Sequence, residues 1–147
     1  MYRLLIGQPS GAPITVDAIP DERRMVEQLR ALEPADAEAF PRFMRHNRRK
    51  LERMRPILQS PMRSAADLAT LEGLRAGMVL RPWRSLHDHL CGYFRNDAVR
   101  LAMCFQSKYL GMSPFECPEL FSILPFIEYE YGIWHPVGGC NALVRGM

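Results

Sequence analysis

Gly138 and Gly139 are the first residues of this 147-residue chain to consider for chemistry. They follow Pro136-Val137 and precede Cys140-Asn141-Ala142-Leu143. Glycines just before a helix let a ligand approach the backbone closely, and the amides that open a helix favour electron-rich groups. Alone, the doublet reads first as an ordinary turn. A second group is aromatic: Phe105, Tyr109, Phe115, Phe121, Phe126, Tyr129 and Trp134 crowd one stretch of the chain. Such residues suit an apolar channel, and at helical spacing they equally suit a plain core. Glu128 and Glu130 qualify as acid or base by charge alone, so the catalytic group is unknown.

Other residue sets carry less. His87 and His89 form an H-x-H pair, which on a helix points the rings about 200° apart, so they do not share a metal. No carboxylate–histidine cluster supports them, and no metal site is expected. Cys91, Cys104, Cys117 and Cys140 lack any C-x-x-C and any spacing to a His–Asn or His–Asp pair. They read as reduced, structurally buried thiols.

The net charge of +3 implies no partner, but its distribution is uneven. Residues 41–63 carry 8 basic and 1 acidic side chains, whereas 1–40 carry 4 and 7. Arg42, Arg45, Arg49 and Arg53 form a stripe, with Arg48 and Lys50 beside it. It reads as a solvated helix face, as contact with anionic lipid head groups, or as a nucleic acid contact. No aromatic interleaves the exposed face and no helix-turn-helix spacing is present, so no nucleic acid partner is expected.

These residues need elements to place them. Tyr2–Ile6 and Pro13–Val16 predict a β-hairpin around a five-residue loop, Gly7–Gly11. Pro20-Asp21-Glu22 opens a short helix with Met25, Leu29 and Leu32 inward, closed by Pro34. A longer helix runs from Ala35 to Leu58 on the stripe Phe40, Phe43, Met44, Asn47, Leu51, Met54 and Leu58, with Pro56 placed to kink or end it. A short helix at Ser64–Leu68 and a strand or buried connector at Met78–Leu80 follow. Ser85 caps another helix with Leu86, Leu90, Tyr93 and Phe94 inward. Asn96-Asp97 starts the next, with Val99, Ala102, Met103, Phe105 and Leu110 on its apolar side. Glu116 opens a third, through Tyr131. The fold class expected is α+β and mostly helical, an N-terminal β-hairpin followed by several helices. No apolar run nears the ~18 residues of a membrane span. No secretory signal is evident, and a cytoplasmic chain with peripheral contact at the inner membrane face is expected.

Two motifs carry a resemblance. Phe105, Gln106, Ser107, Tyr109, Gly111, Ser113 and Pro114 fit F-Q-S-x-Y-x-G-x-S-P; Gly132, Trp134, Pro136, Gly138, Gly139 and Leu143 fit G-x-W-x-P-x-G-G-x-x-x-L. Arg84-Ser85-Leu86 and Tyr93-Phe94-Arg95-Asn96 precede them. In these runs the chain is similar to bacterial-type phytoene desaturases and related carotenoid dehydrogenases. The resemblance implies an amine-oxidase-like fold, FAD as cofactor, and removal of hydride and proton from neighbouring carbons of a long apolar polyene.

On that resemblance, residues 1–147 are a partial substrate-binding domain without a dinucleotide-binding domain, because no G-x-G-x-x-G follows an N-terminal strand. Gly138 and Gly139 are expected beside the flavin, and Phe105, Tyr109, Phe115 and Trp134 beside the polyene. Arg42, Arg45, Arg49 and Arg53 are expected to provide peripheral membrane contact. As an internal fragment, the isolated chain is expected neither to hold FAD nor to be active. The alternative is a stand-alone lipid- or isoprenoid-binding module without catalytic activity.

Overall fold

Tyr2, Leu4 and Ile6 alternate with Arg3 and Leu5, giving β1 (Tyr2–Gln8) one apolar face. The computed structural model describes residues 1–8, 11–59 and 83–147. In it β1 pairs antiparallel with β2 (Gly11–Ala18), Leu4 opposite Val16 and Tyr2 opposite Ala18. Both strands outrun their predicted ends. Val16 and Ala18 are buried, and an Arg3–Asp17 ion pair at 2.6 Å secures the extra pairing on the outer face. An irregular step between Ile6 and Gln8 brings Gln8 opposite Gly11, so the connection is tighter than the predicted five residues.

Asp21 caps α1 (Glu22–Leu32) by accepting from the Arg24 amide at 3.1 Å. One residue then joins two helices. The Glu33 N–H donates to the Leu29 carbonyl at 2.8 Å, closing α1. Its carboxylate accepts from the Ala35 N–H at 3.2 Å, opening α2 (Pro34–Leu58). Pro34 takes the first position, where its missing N–H costs nothing. The helix continues through Pro41 and past Pro56 by two residues.

Phe40, Phe43, Met44, Asn47 and Met54 are buried along α2 as predicted, while Leu51 is half-buried and Leu58 exposed. Lys50 departs from its expected place beside the solvent face: it is 1% exposed. The predicted elements at Ser64–Leu68 and Met78–Leu80 lie outside the described residues.

Two further caps match expectation. The Ser85 hydroxyl accepts from the Asp88 N–H at 3.0 Å at the start of α3 (Leu86–Cys91), and Asn96 Oδ1 accepts from the Ala98 N–H at 2.9 Å ahead of α4 (Asp97–Cys104). α4 tightens into a 3₁₀ turn, Phe105–Leu110, which stops at Gly111 with φ +66°. There Phe105 is half-buried and Leu110 exposed, so the predicted apolar face fades.

The helix predicted to open at Glu116 begins later, as a 3₁₀ turn at Glu119–Ser122 and then α5 (Ile123–Tyr131). Its first backbone groups are already committed. The Cys117 carbonyl accepts from Leu86 N–H at 2.7 Å, and the Glu119 N–H donates to the Arg84 carbonyl at 2.8 Å. α6 (Cys140–Gly146) follows an extended stretch and a turn.

The core lies where α2 meets α5 and α4 meets the hairpin. Phe43 packs on Phe94 at 5.5 Å between centroids, and Phe40 meets the Tyr129 ring edge-on at 5.7 Å. No helix of the described residues is long and apolar enough to cross a membrane.

Candidate functional site

The 3₁₀ turn after α4 carries the first motif. Gln106 points into the protein, fully buried, and donates from Nε2 to Glu128 at 2.6 Å and to the Tyr2 hydroxyl at 2.7 Å. The Tyr2 hydroxyl in turn donates to the same Glu128 oxygen at 2.9 Å. This knot ties β1, the 3₁₀ turn and α5 together. Burial raises the Tyr2 hydroxyl pKa, with Tyr129 and Glu128 adding to it. Tyr109 is raised by the same causes, partial burial and then Glu128.

Glu128 and Glu130 therefore differ. Glu130 is held by Arg48 through two contacts at 2.7 Å. Glu128 is held by neutral donors and makes no ion pair among the described residues. A carboxylate in that setting can accept a proton or stabilise positive charge developing on an apolar ligand nearby.

Phe105 and Tyr109 share this wall. Phe105 is half-buried against Tyr2 at 5.8 Å, and Lys108 Nζ sits 3.3 Å from the Phe105 ring centroid and 5.5 Å from that of Tyr109. The other expected substrate residues lie elsewhere. Phe115, exposed, stacks on His87 at 4.4 Å. Trp134, 87% exposed, donates from its indole nitrogen to the Tyr131 carbonyl at 2.7 Å. Phe126 and Tyr129 are core residues, and Phe121 packs at the core's edge. The seven aromatics thus form no single channel among the described residues.

The second motif shapes the turn before α6. Gly139 adopts φ +79°, ψ 175°, a region essentially restricted to glycine. Its N–H donates to the Pro136 carbonyl at 2.9 Å. A Cβ on Gly138 would lie 3.1 Å from that of Ala142, whereas one on Gly139 would meet nothing within 4 Å. The Gly139 backbone is therefore open to a flat ligand that a side chain would hold off.

A second feature involves buried charge. Glu119 receives Lys50 Nζ at 3.1 Å and lies 3.1 Å from His89 Nδ1, with Arg84 at 3.8 Å. Lys50 also donates to Ser122, whose hydroxyl donates to Asn47 at 2.7 Å. His87 is apart from this cluster, facing Cys91 and Phe115, so the two histidines diverge as their spacing predicts. Sequence reasoning missed Lys50, although Phe43, Asn47, Lys50 and Met54 already follow helical spacing. Cys104 and Cys117 are buried as expected, but Cys91 and Cys140 are exposed: Cys91 lies beside His87 on the outside of α3, and Cys140 opens the fully exposed α6.

The basic stripe divides. Arg48 is committed to Glu130 and Lys50 to Glu119, while Arg42, Arg45 and Arg49 border an open cleft with His46 and Tyr93. Arg53 is exposed and does not line it.

No protein-family model matches the chain. Curated relatives do. A 4,4'-diapophytoene desaturase (4,4'-diapolycopene-forming) from Methylomonas sp is 34% identical over all of this chain and 28% of the relative. An all-trans-zeta-carotene desaturase from Myxococcus xanthus is 36% identical over 84% of this chain and 23% of the relative. A lycopene-forming phytoene desaturase from Pantoea ananas is 29% identical over 86% and 26%. The chain spans about a quarter of the length of these relatives. Over most or all of its length, then, this chain is similar to a segment of phytoene, diapophytoene and zeta-carotene desaturases.

Proposed function

We propose that this chain forms the substrate-binding portion of an FAD-dependent oxidoreductase that desaturates a long apolar isoprenoid of the phytoene type. Two surfaces of the chain support the proposal. One is the Phe105–Tyr109 wall, backed by Glu128; the other is the Gly138–Gly139 turn, whose backbone only glycine tolerates. The names of the relatives supply the substrate class.

The residues present fit one edge of a flavin, since the open face of Gly139 lets a flat ring approach the main chain. Gly138 and Gly139 would hold that edge, and bound FAD supplies the hydride acceptor. The protein's own residues do the rest. Phe105 and Tyr109 orient the chain of the isoprenoid and exclude water. Glu128, fixed by Tyr2 and Gln106, holds the proton that leaves the neighbouring carbon. Peripheral contact on the Arg42, Arg45, Arg49 and Arg53 side would keep the wall near the bilayer where such a substrate dissolves.

The test is to supply the full-length protein that carries this segment with FAD and phytoene or diapophytoene in liposomes and follow the long-wavelength absorbance of a conjugated polyene. Glu128→Gln is expected to slow turnover while leaving polyene retention intact. If the protein retains no polyene and forms no coloured product under conditions where a relative does, the reading fails.

A further inference from the structure

Arg42, Arg45, His46 and Arg49 stand at i, i+3, i+4 and i+7 on α2 and so share one face. That face borders an open cleft of about 510 Å³, with Tyr93 beside it. A neighbouring cleft of about 260 Å³ shares Arg42, His46 and Tyr93 and adds Arg84. The clefts therefore gather four guanidinium groups around one concave surface.

The state of those groups matters more than their number. Arg42 lies over the Tyr93 ring, 5.3 Å from its centroid, and Arg45 and Arg49 make no ion pair among the described residues. Arg84 donates to the Asp88 carbonyl at 2.7 Å and stays 3.8 Å from Glu119. Glu119 lines the smaller cleft, but its Oε1 receives the Lys50 ammonium and lies 3.1 Å from His89 Nδ1, while among the described residues its Oε2 has only Arg84 nearby, at 3.8 Å. The same helix sends Arg48 to Glu130 and Lys50 inward, so its cations are sorted rather than scattered. Like charges gathered in a concavity repel one another, and an anion relieves that repulsion.

We propose that this cleft binds a phosphate group, carried by an anionic lipid head group or by a free phosphate-bearing compound. Guanidinium groups match phosphate oxygens in fork geometry, and an aromatic ring under one of them holds it in place. A merely solvated helix face would leave its arginines interchangeable. Here the cleft separates Arg42, Arg45 and Arg49 from Arg53 and Arg55, which are equally exposed on the same helix. The lipid arm deepens the membrane contact proposed above and rests on that reading, but the test needs no turnover, so failure of the cleft leaves the desaturase reading standing.

The experiment measures co-sedimentation of the purified protein with phosphatidylcholine vesicles, with and without phosphatidylglycerol, at fixed ionic strength. Calorimetry with pyrophosphate and glycerol phosphate runs in parallel. The variants are Arg42→Gln, Arg45→Gln and Arg49→Gln combined, and Arg23→Gln with Arg55→Gln, both exposed and outside the cleft, as a charge control; circular dichroism checks their folding. Each cleft arginine is expected to contribute about five-fold, so the triple variant weakens binding on the order of a hundred-fold and the control far less. Loss confined to the triple variant on phosphatidylglycerol vesicles supports the site with lipid as its source. The same loss with the soluble phosphates alone supports it with a free compound as source. Equal weakening by triple variant and control, or no binding to either probe by the parent protein, overturns the proposal.

Discussion

Lys50 Nζ lies 3.1 Å from Glu119 Oε1, and neither side chain is more than 2% exposed. The pair joins the middle of α2 to the 3₁₀ turn ahead of α5, and so fixes the wall that carries Glu128. Charges withdrawn from water in this way hold only while each has its counter-charge. Lys50→Met leaves the buried Glu119 to His89 and Arg84 alone, and should cost about 3 kcal/mol. Arg48→Gln, which removes a half-exposed pair with Glu130, should cost under about 1 kcal/mol. Urea unfolding of both variants tests the ranking; equal losses would mean that burial does not set the strength of these pairs.

Asp36 does similar work with no cation paired to it among the described residues. It is fully buried, and its carboxylate accepts from the backbone N–H groups of Arg95 at 2.7 Å and Asn96 at 3.0 Å. These bonds hold the turn that delivers the chain into α4 and onward to Phe105 and Tyr109. Asp36→Ala strands two part-buried donors, at a cost of about 1–3 kcal/mol each in the limit where water does not replace the carboxylate. Asp36→Asn keeps one acceptor and should recover part of the loss. A thermal midpoint for Asp36→Ala no lower than that of the parent would count against this clamp.

Local chemistry made much of this legible in the sequence. Asp21, Ser85 and Asn96 each cap a helix using an amide two or three residues away, so the signal and the structure lie together. The α2 stripe is legible for the same reason. Lys50 was not, because the Glu119 that makes its burial tolerable lies 69 residues further along. The Tyr2–Gln106–Glu128 knot spans up to 126 residues, and neither motif spacing nor propensity brings those three together. The resemblance puts Phe115 and Trp134 beside the polyene, and their contacts with His87 and the Tyr131 carbonyl follow from neither motif nor residue type. Aromatic character predicts that a residue seeks a partner, not which partner it finds.

Burial also predicts a pH response. It pushes the Cys104 thiol up to about 11 from the ordinary 9.0, and raises Cys117 by the same cause. Burial raises the hydroxyls of Tyr2 and Tyr129 as well. A group whose folded pKa exceeds its unfolded value stabilises fully below the unfolded pKa and loses that contribution as pH rises toward the folded one. Stability should therefore hold through neutrality and fall between about pH 9 and pH 11. At pH 8, iodoacetamide should label the exposed Cys91 and Cys140 and spare Cys104 until the protein unfolds. Prompt labelling of Cys104, read by peptide mass spectrometry, would contradict its burial.

The glycine turn separates shape from stability. Gly139→Ala places a Cβ on a backbone at φ +79°, ψ 175°, which costs an alanine on the order of 1–3 kcal/mol of local strain. Because that Cβ meets nothing within 4 Å, the strain is conformational rather than steric, and the turn relieves it by moving. The turn and α6 are largely exposed and lie outside the buried cluster, so the global unfolding midpoint should barely change. Flavin affinity should fall by about ten-fold if the main chain at Gly139 lies against the ring, since most of the strain then opposes the bound geometry. Titrating FAD into the full-length protein that carries this segment, as parent and as Gly139→Ala, with flavin fluorescence as the readout, compares the two directly. A variant that binds flavin as tightly as the parent would move the cofactor away from this turn, and one that unfolds early would show that the turn supports the core after all.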